Sequence, residues 1–117
     1  MFEIRTSFKI SGAHSLELPY PSRCSELHGH NWLITVVCRS MELNSEGMVV
    51  DFGHIKEKIV SKLDHADLSG KIELDDRILN PTAENIAHWI SRQIGDICIE
   101  VQVEETAGNV AIWRRDI

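Results

Sequence analysis

The sequence predicts an α+β domain over residues 1–117, a four-stranded antiparallel sheet with two helices on one face in the order ββααββ. Two observations carry that expectation. Apolar residues alternate with polar ones near both ends of the chain, at Phe2, Ile4, Phe8 and Ile10 and again at Ile97, Ile99, Val101 and Val103, the period of half-buried strands. Between them the period becomes helical, with Ile55, Ile59 and Leu63 on one stripe and Ile86, Ile90 and Ile94 on another. Helices with one apolar stripe each cover only one face of such a sheet. The other face and the open edges therefore predict oligomerisation.

The elements follow in order. Residues 2–10 form the first strand, with Thr6 sharing the apolar face. Ser11 to His30 contains Gly12, Pro19, Pro21 and Gly29 without a sustained period and reads as a long loop, a kind of segment that tends to be functional. Residues 31–39 are β-branched and apolar and make the second strand. Asn44 to Gly47 is turn-like, and Met48 to Phe52 extends the sheet. The first helix follows, about three turns long. The second begins after Pro81, with Thr82 as N-cap, Glu84 in the first turn and Gly95 as its stop. After the third strand, Ala107-Gly108-Asn109 is a turn and residues 110–113 a last strand. Neither a repeat nor a linker divides the chain, which reads as a single domain.

Lys and Arg total 12 against 18 Asp and Glu, a net charge of −6, which weighs against a nucleic-acid partner. No stretch approaches the roughly 18 apolar residues of a membrane span. Met1 to Arg5 is too charged to open a signal peptide, and the three cysteines lack paired spacing. Reduced thiols and a cytoplasmic protein are expected. Six histidines in 117 residues are the unusual count.

His28-Gly29-His30 is the strongest local signal. In extended backbone residues two apart project to one side, so both imidazoles can reach one point. A metal needs a third ligand, and His14 lies at the mouth of the same loop. Three neutral histidines plus an open position form a catalytic zinc arrangement; the alternative is three polar loop residues. Cys24 is a fourth ligand, a free thiolate beside the metal or a small buried hydrophobe, the last being the expectation for Cys38 and Cys98. Asp64 could orient His65 as a carboxylate orients a catalytic imidazole, although adjacent residues rarely face each other; alternatively His65 is a histidine favoured by a helix C-terminus. Glu105 shares a strand face with Val101 and Val103, whereas Glu104 points the other way, so Glu105 calls for a ligand's donor groups. His54 and His88 read as ordinary helical residues.

Together the segments Ser11-Gly12-Ala13-His14, Cys24-x-x-x-His28-Gly29-His30-Asn31, Gly47 to Phe52, Leu63-Asp64-His65, Asn80 to Asn85 and Glu105-Thr106 resemble, in order, the 6-pyruvoyltetrahydropterin synthase family. The resemblance implies a tunnelling fold in which three subunits close a barrel and two trimers stack as a homohexamer. It implies zinc on His14, His28 and His30, with Cys24 as general base and Asp64 and His65 arriving from a neighbouring subunit. Glu105 would anchor the pterin, helped by Thr82, and take part in the proton relay. The implied substrate is 7,8-dihydroneopterin triphosphate. The Cys24-to-His28 spacing resembles the 6-carboxytetrahydropterin branch, which releases acetaldehyde and triphosphate and serves queuosine biosynthesis. The runner-up is the pyruvoyl branch, which only eliminates triphosphate. A non-catalytic pterin- or metal-binding protein would not need Cys24, and a metal-free Cys–His hydrolase would leave the histidine trio unexplained. Glu26 stands where relatives commonly carry a basic residue, leaving Arg23 and Lys9 as candidate phosphate contacts.

Overall fold

The computed structural model describes residues 1–116. Strands β1 (Phe2–His14) and β2 (His28–Ser40) pair antiparallel along their whole length, from Phe2 opposite Ser40 to His14 opposite His28. Both strands therefore run further than predicted. Ser11 to Ala13 and Gly29 to Asn31 are too small or polar to show alternation, yet they pair with one another. The predicted loop contracts to residues 15–27 and contains a short 3-10 turn at Arg23–Ser25.

Helix α1 (Phe52–Leu63) leads to β3 (Ala66–Asp67), and β4 (Glu73–Leu74) and β5 (Arg77–Ile78) make a small separate hairpin. Helix α2 (Ala83–Ile94) precedes β6 (Cys98–Thr106) and β7 (Asn109–Arg114). The main sheet has the order β3-β1-β2-β6-β7. Its four long strands are antiparallel, as expected. The fifth, β3, is a two-residue strand parallel to β1 at Gly12 and Ala13.

Met48 to Phe52 does not extend the sheet. The Asn44 side-chain oxygen accepts the Glu46 and Met48 N–H groups, folding a turn through Gly47 at φ 82°. Asp51 then caps α1 by accepting the Gly53 N–H at 2.8 Å. Val49 and Val50 pack on the core from this turn instead.

The helix-side face of the sheet buries Phe8 and Ile10 of β1, Trp32, Ile34 and Val36 of β2, and Val101 and Val103 of β6. Ile55, Ile59 and Leu63 of α1 close over them, with Ile86, Ala87 and Ile90 of α2. The buried face continues to the end of β1, where the inward position is His14, fully buried. The core thus passes directly into a cluster of histidines. On the opposite face Arg5, Glu100 and Arg114 stand across the strands around the buried Val37, with Arg5 opposite Val37, Val37 opposite Glu100 and Glu100 opposite Arg114. Arg114 and Gln102 bond to Glu100 and hold its carboxyl below the usual range.

Candidate metal centre

His14, His28 and His30 converge at the end of the β1–β2 ladder, with ring centroids 4.5 to 5.1 Å apart. Pairing sets His14 opposite His28, and the strand period brings His30 to the same side. Trp32, two residues further, is fully buried with its ring against His14 and His30. Its indole N–H donates to the Gly12 carbonyl at 3.1 Å and so ties the floor of the cluster to β1.

The ring nitrogens are not equivalent. His14 Nδ1 lies 2.7 Å from the Pro81 carbonyl, and His28 Nδ1 lies 2.7 Å from that of Glu26. A carbonyl only accepts, so each Nδ1 carries a proton, and in the neutral imidazole Nε2 is then the atom with the lone pair. The Nε2 atoms of His14 and His30 are buried without a hydrogen-bond partner among the described residues. Burial lowers the His30 pKa, the charge of Glu105 opposes that shift, and His14 and His28 reinforce it. Neutral imidazole is the ligating form.

Glu105 completes the group. Its Oε1 is 2.8 Å from His30 Nε2 and 3.5 Å from His14 Nε2, although the nearer approach lacks hydrogen-bond geometry. The four candidate ligand atoms lie within 4.8 Å of one another. Glu105 follows Val101 and Val103 on the inward face of β6 and is the extra residue where the β6–β7 register shifts between Glu104 and Thr106. Three imidazoles with free or orphaned nitrogens and a carboxylate fit a first-row divalent cation such as zinc.

Cys24 lies in the 3-10 turn, partly exposed, and is not one of the four grouped residues. That leaves its thiol outside the ligand cluster. Cys38 and Cys98 are buried, as expected for core residues.

Asp64 and His65 do face each other. His65 has φ 55°, and this left-handed turn brings its Nε2 to 3.6 Å from Asp64 Oδ2. The turn is anchored at Ser11, whose N–H donates to Asp64 Oδ1 at 2.8 Å and whose carbonyl accepts the His65 N–H at 2.6 Å. The ring of His65 is 81% exposed. It lines an open cavity of about 560 Å³ with Ser11, Gly29, His30 and Asn31.

A family model described as 6-pyruvoyl tetrahydropterin synthase matches residues 3–116. The chain belongs to this family. Within it, the chain is 27% identical over 124 residues to the 6-carboxy-5,6,7,8-tetrahydropterin synthase of Bacillus subtilis, covering 97% of this chain and 85% of that one. It is 37% identical over 93 residues to a dihydroneopterin monophosphate aldolase of Pyrococcus furiosus, covering 77% and 70%. The fold matches the Caenorhabditis elegans 6-pyruvoyl tetrahydropterin synthase structure with a TM-score of 0.76 at 22% identity, over 98% of this chain and 96% of that one.

A second cavity, about 360 Å³, is lined by Ala83, Glu84, Glu105, Asn109, Val110 and Ala111. Sequence reasoning gave Glu84 only a place in the first turn of α2. Its position one residue before Asn85 in the family segment was the available signal. Thr82 is the N-cap, accepting the Asn85 N–H at 3.1 Å, and the cavity wall is made by the two residues after it. His54 is exposed on α1, and His88 stacks on Trp113 at 6.0 Å, both outside the cluster.

Proposed function

We propose that this family member is a zinc-dependent lyase that converts 7,8-dihydroneopterin triphosphate and water to 6-carboxy-5,6,7,8-tetrahydropterin, acetaldehyde and triphosphate, as part of 7-deazaguanine (queuosine) synthesis in the cytoplasm. The observation that carries the reading is the convergence of His14, His28 and His30, with carbonyl-backed Nδ1 atoms on His14 and His28 and buried, unpartnered Nε2 atoms on His14 and His30. Zinc held by these three would act as a Lewis acid toward the side-chain oxygens of the substrate.

The chain's own groups supply the rest. Cys24 removes a proton from the substrate side chain as thiolate, and His65 returns one. Asp64, anchored through one oxygen to Ser11, keeps the other 3.6 Å from the His65 ring, where it would orient and polarise the imidazole. Glu105 offers acceptor oxygens to the donor edge of a pterin, with Glu84 on the same cavity wall. His65 and Glu105 line different cavities in one chain. The open edges of the sheet support assembly of copies, and in that assembly Asp64 and His65 would serve a neighbouring subunit of a homohexamer.

The name of the Bacillus subtilis relative, which aligns over nearly the whole chain, favours the carboxy product. The family description keeps the pyruvoyl product as the second reading. Incubation of zinc-loaded protein with dihydroneopterin triphosphate, followed by mass analysis of the pterin, decides between them. Carboxytetrahydropterin with stoichiometric acetaldehyde is expected. The pyruvoyl product would move the assignment to the second reading, and turnover of the monophosphate alone would move it to the aldolase. A zinc-replete oligomer inert to all of these would overturn the enzyme reading.

A further inference from the structure

We propose that Asn80 is a positioning residue for the metal centre, fixing where the Pro81 carbonyl meets the ring of His14; this rests on the reading of His14 as a metal ligand. His14 ends β1, and the carbonyl that accepts its Nδ1–H hydrogen bond lies 67 residues away, just before α2. That bond forms only if the two segments are held in register.

The side chain of Asn80 holds them. Its Oδ1 accepts the Glu17 N–H at 2.9 Å, and its Nδ2 donates to the Glu17 carbonyl at 2.9 Å. Glu17 follows closely on His14, so this two-point clamp grips the segment leading from the ligand. The Asn80 carbonyl in turn accepts Asn85 Nδ2 at 2.9 Å and the Thr82 N–H at 2.8 Å. Asn80 is thus tied to the first turn of α2 through its backbone and to the continuation of β1 through its side chain. Pro81 sits next to it with a fixed φ and no N–H to pair elsewhere. The clamp acts on the metal only through Pro81 and His14. Loss of an outer partner of a ligating imidazole typically weakens metal binding about 10- to 100-fold.

The test titrates metal-free wild-type, Asn80→Ala and Asn80→Asp proteins with Co(II), recording the visible ligand-field spectrum and the thermal midpoint of each metal-free sample. Wild-type protein should bind one Co(II) per chain; failure at this step would overturn the metal reading beneath the proposal. Asn80→Ala, which leaves the Pro81 carbonyl present but unclamped, should bind Co(II) more weakly by up to about 10-fold, with shifted ligand-field bands. Asn80→Asp keeps the acceptor for the Glu17 N–H but not the donor, and should recover part of the affinity. A lowered metal-free midpoint with unchanged affinity and spectrum would show a merely structural role and overturn the proposal. If Asn80→Ala does not fold, Asn85→Ala removes only the bond onto the Asn80 carbonyl. A smaller loss of affinity there supports the proposal, and none overturns it.

Discussion

Each histidine of the cluster is prepared for its role by one hydrogen bond or by burial, and the neighbouring thiol is treated differently. His14 and His28 spend Nδ1 on backbone carbonyls, whereas Cys24 stands outside the group of candidate ligand atoms. The proposed proton-transfer role therefore predicts that Cys24→Ala retains zinc while turnover falls by about 10²- to 10⁴-fold. Metal content by elemental analysis beside a turnover assay checks this, and loss of zinc would make Cys24 a ligand. The His28-Gly29-His30 spacing was legible because extended backbone has a fixed period. The inward placement of Glu105 was legible from the same alternation, but its contact with the imidazoles was not, since it depends on the end of β6 lying beside the end of the β1–β2 ladder. The meeting of Asp64 and His65 was expected only as one of two readings, because adjacent residues rarely face each other. It requires a positive φ at a residue that is not glycine.

At the scale of elements, both helices and the first and third long strands were legible from their periods, the other two long strands from their apolar and β-branched composition, and the α2 cap was named correctly. Thr82 accepts the Asn85 N–H, and Gly95 ends the helix at φ 103°. Thr82→Ala should cost about 1 kcal/mol of stability, whereas Thr82→Ser, which keeps the oxygen, should cost little. Thermal denaturation of the two variants checks this; equal losses would contradict the capping role. The illegible parts were the strand ends and the short strands. Ser11 to Ala13 carry no apolar alternation, and their place in β1 comes from pairing with residues 29–31. Strand β3 has only two residues, and its pairing with Gly12 and Ala13 depends on the turn at His65. Met48 to Val50 looked strand-like because they are apolar, but the Asn44-centred turn directs them onto the core.

Among the described residues of the whole molecule, the main sheet has two open edges. β7 bounds one, with Val110 and Ile112 nearly half exposed, and on the other β3 covers only Gly12 and Ala13 of β1. Edge-to-edge pairing of copies would close both. The net charge of −6 sets a further requirement, because the proposed substrate is strongly anionic. Cations contributed by several copies, together with the metal, would have to offset it. Sharing of the site between copies is also the most directly testable part of the account. Cys24→Ala and His65→Ala proteins should each be inactive with the triphosphate substrate. When dissociated, mixed in equal amounts and reassembled, they should regain about one quarter of wild-type activity, because a site pairing Cys24 of one copy with His65 of the next is intact in one combination of four. No recovery from mixed oligomers confirmed by mass would contradict the shared site.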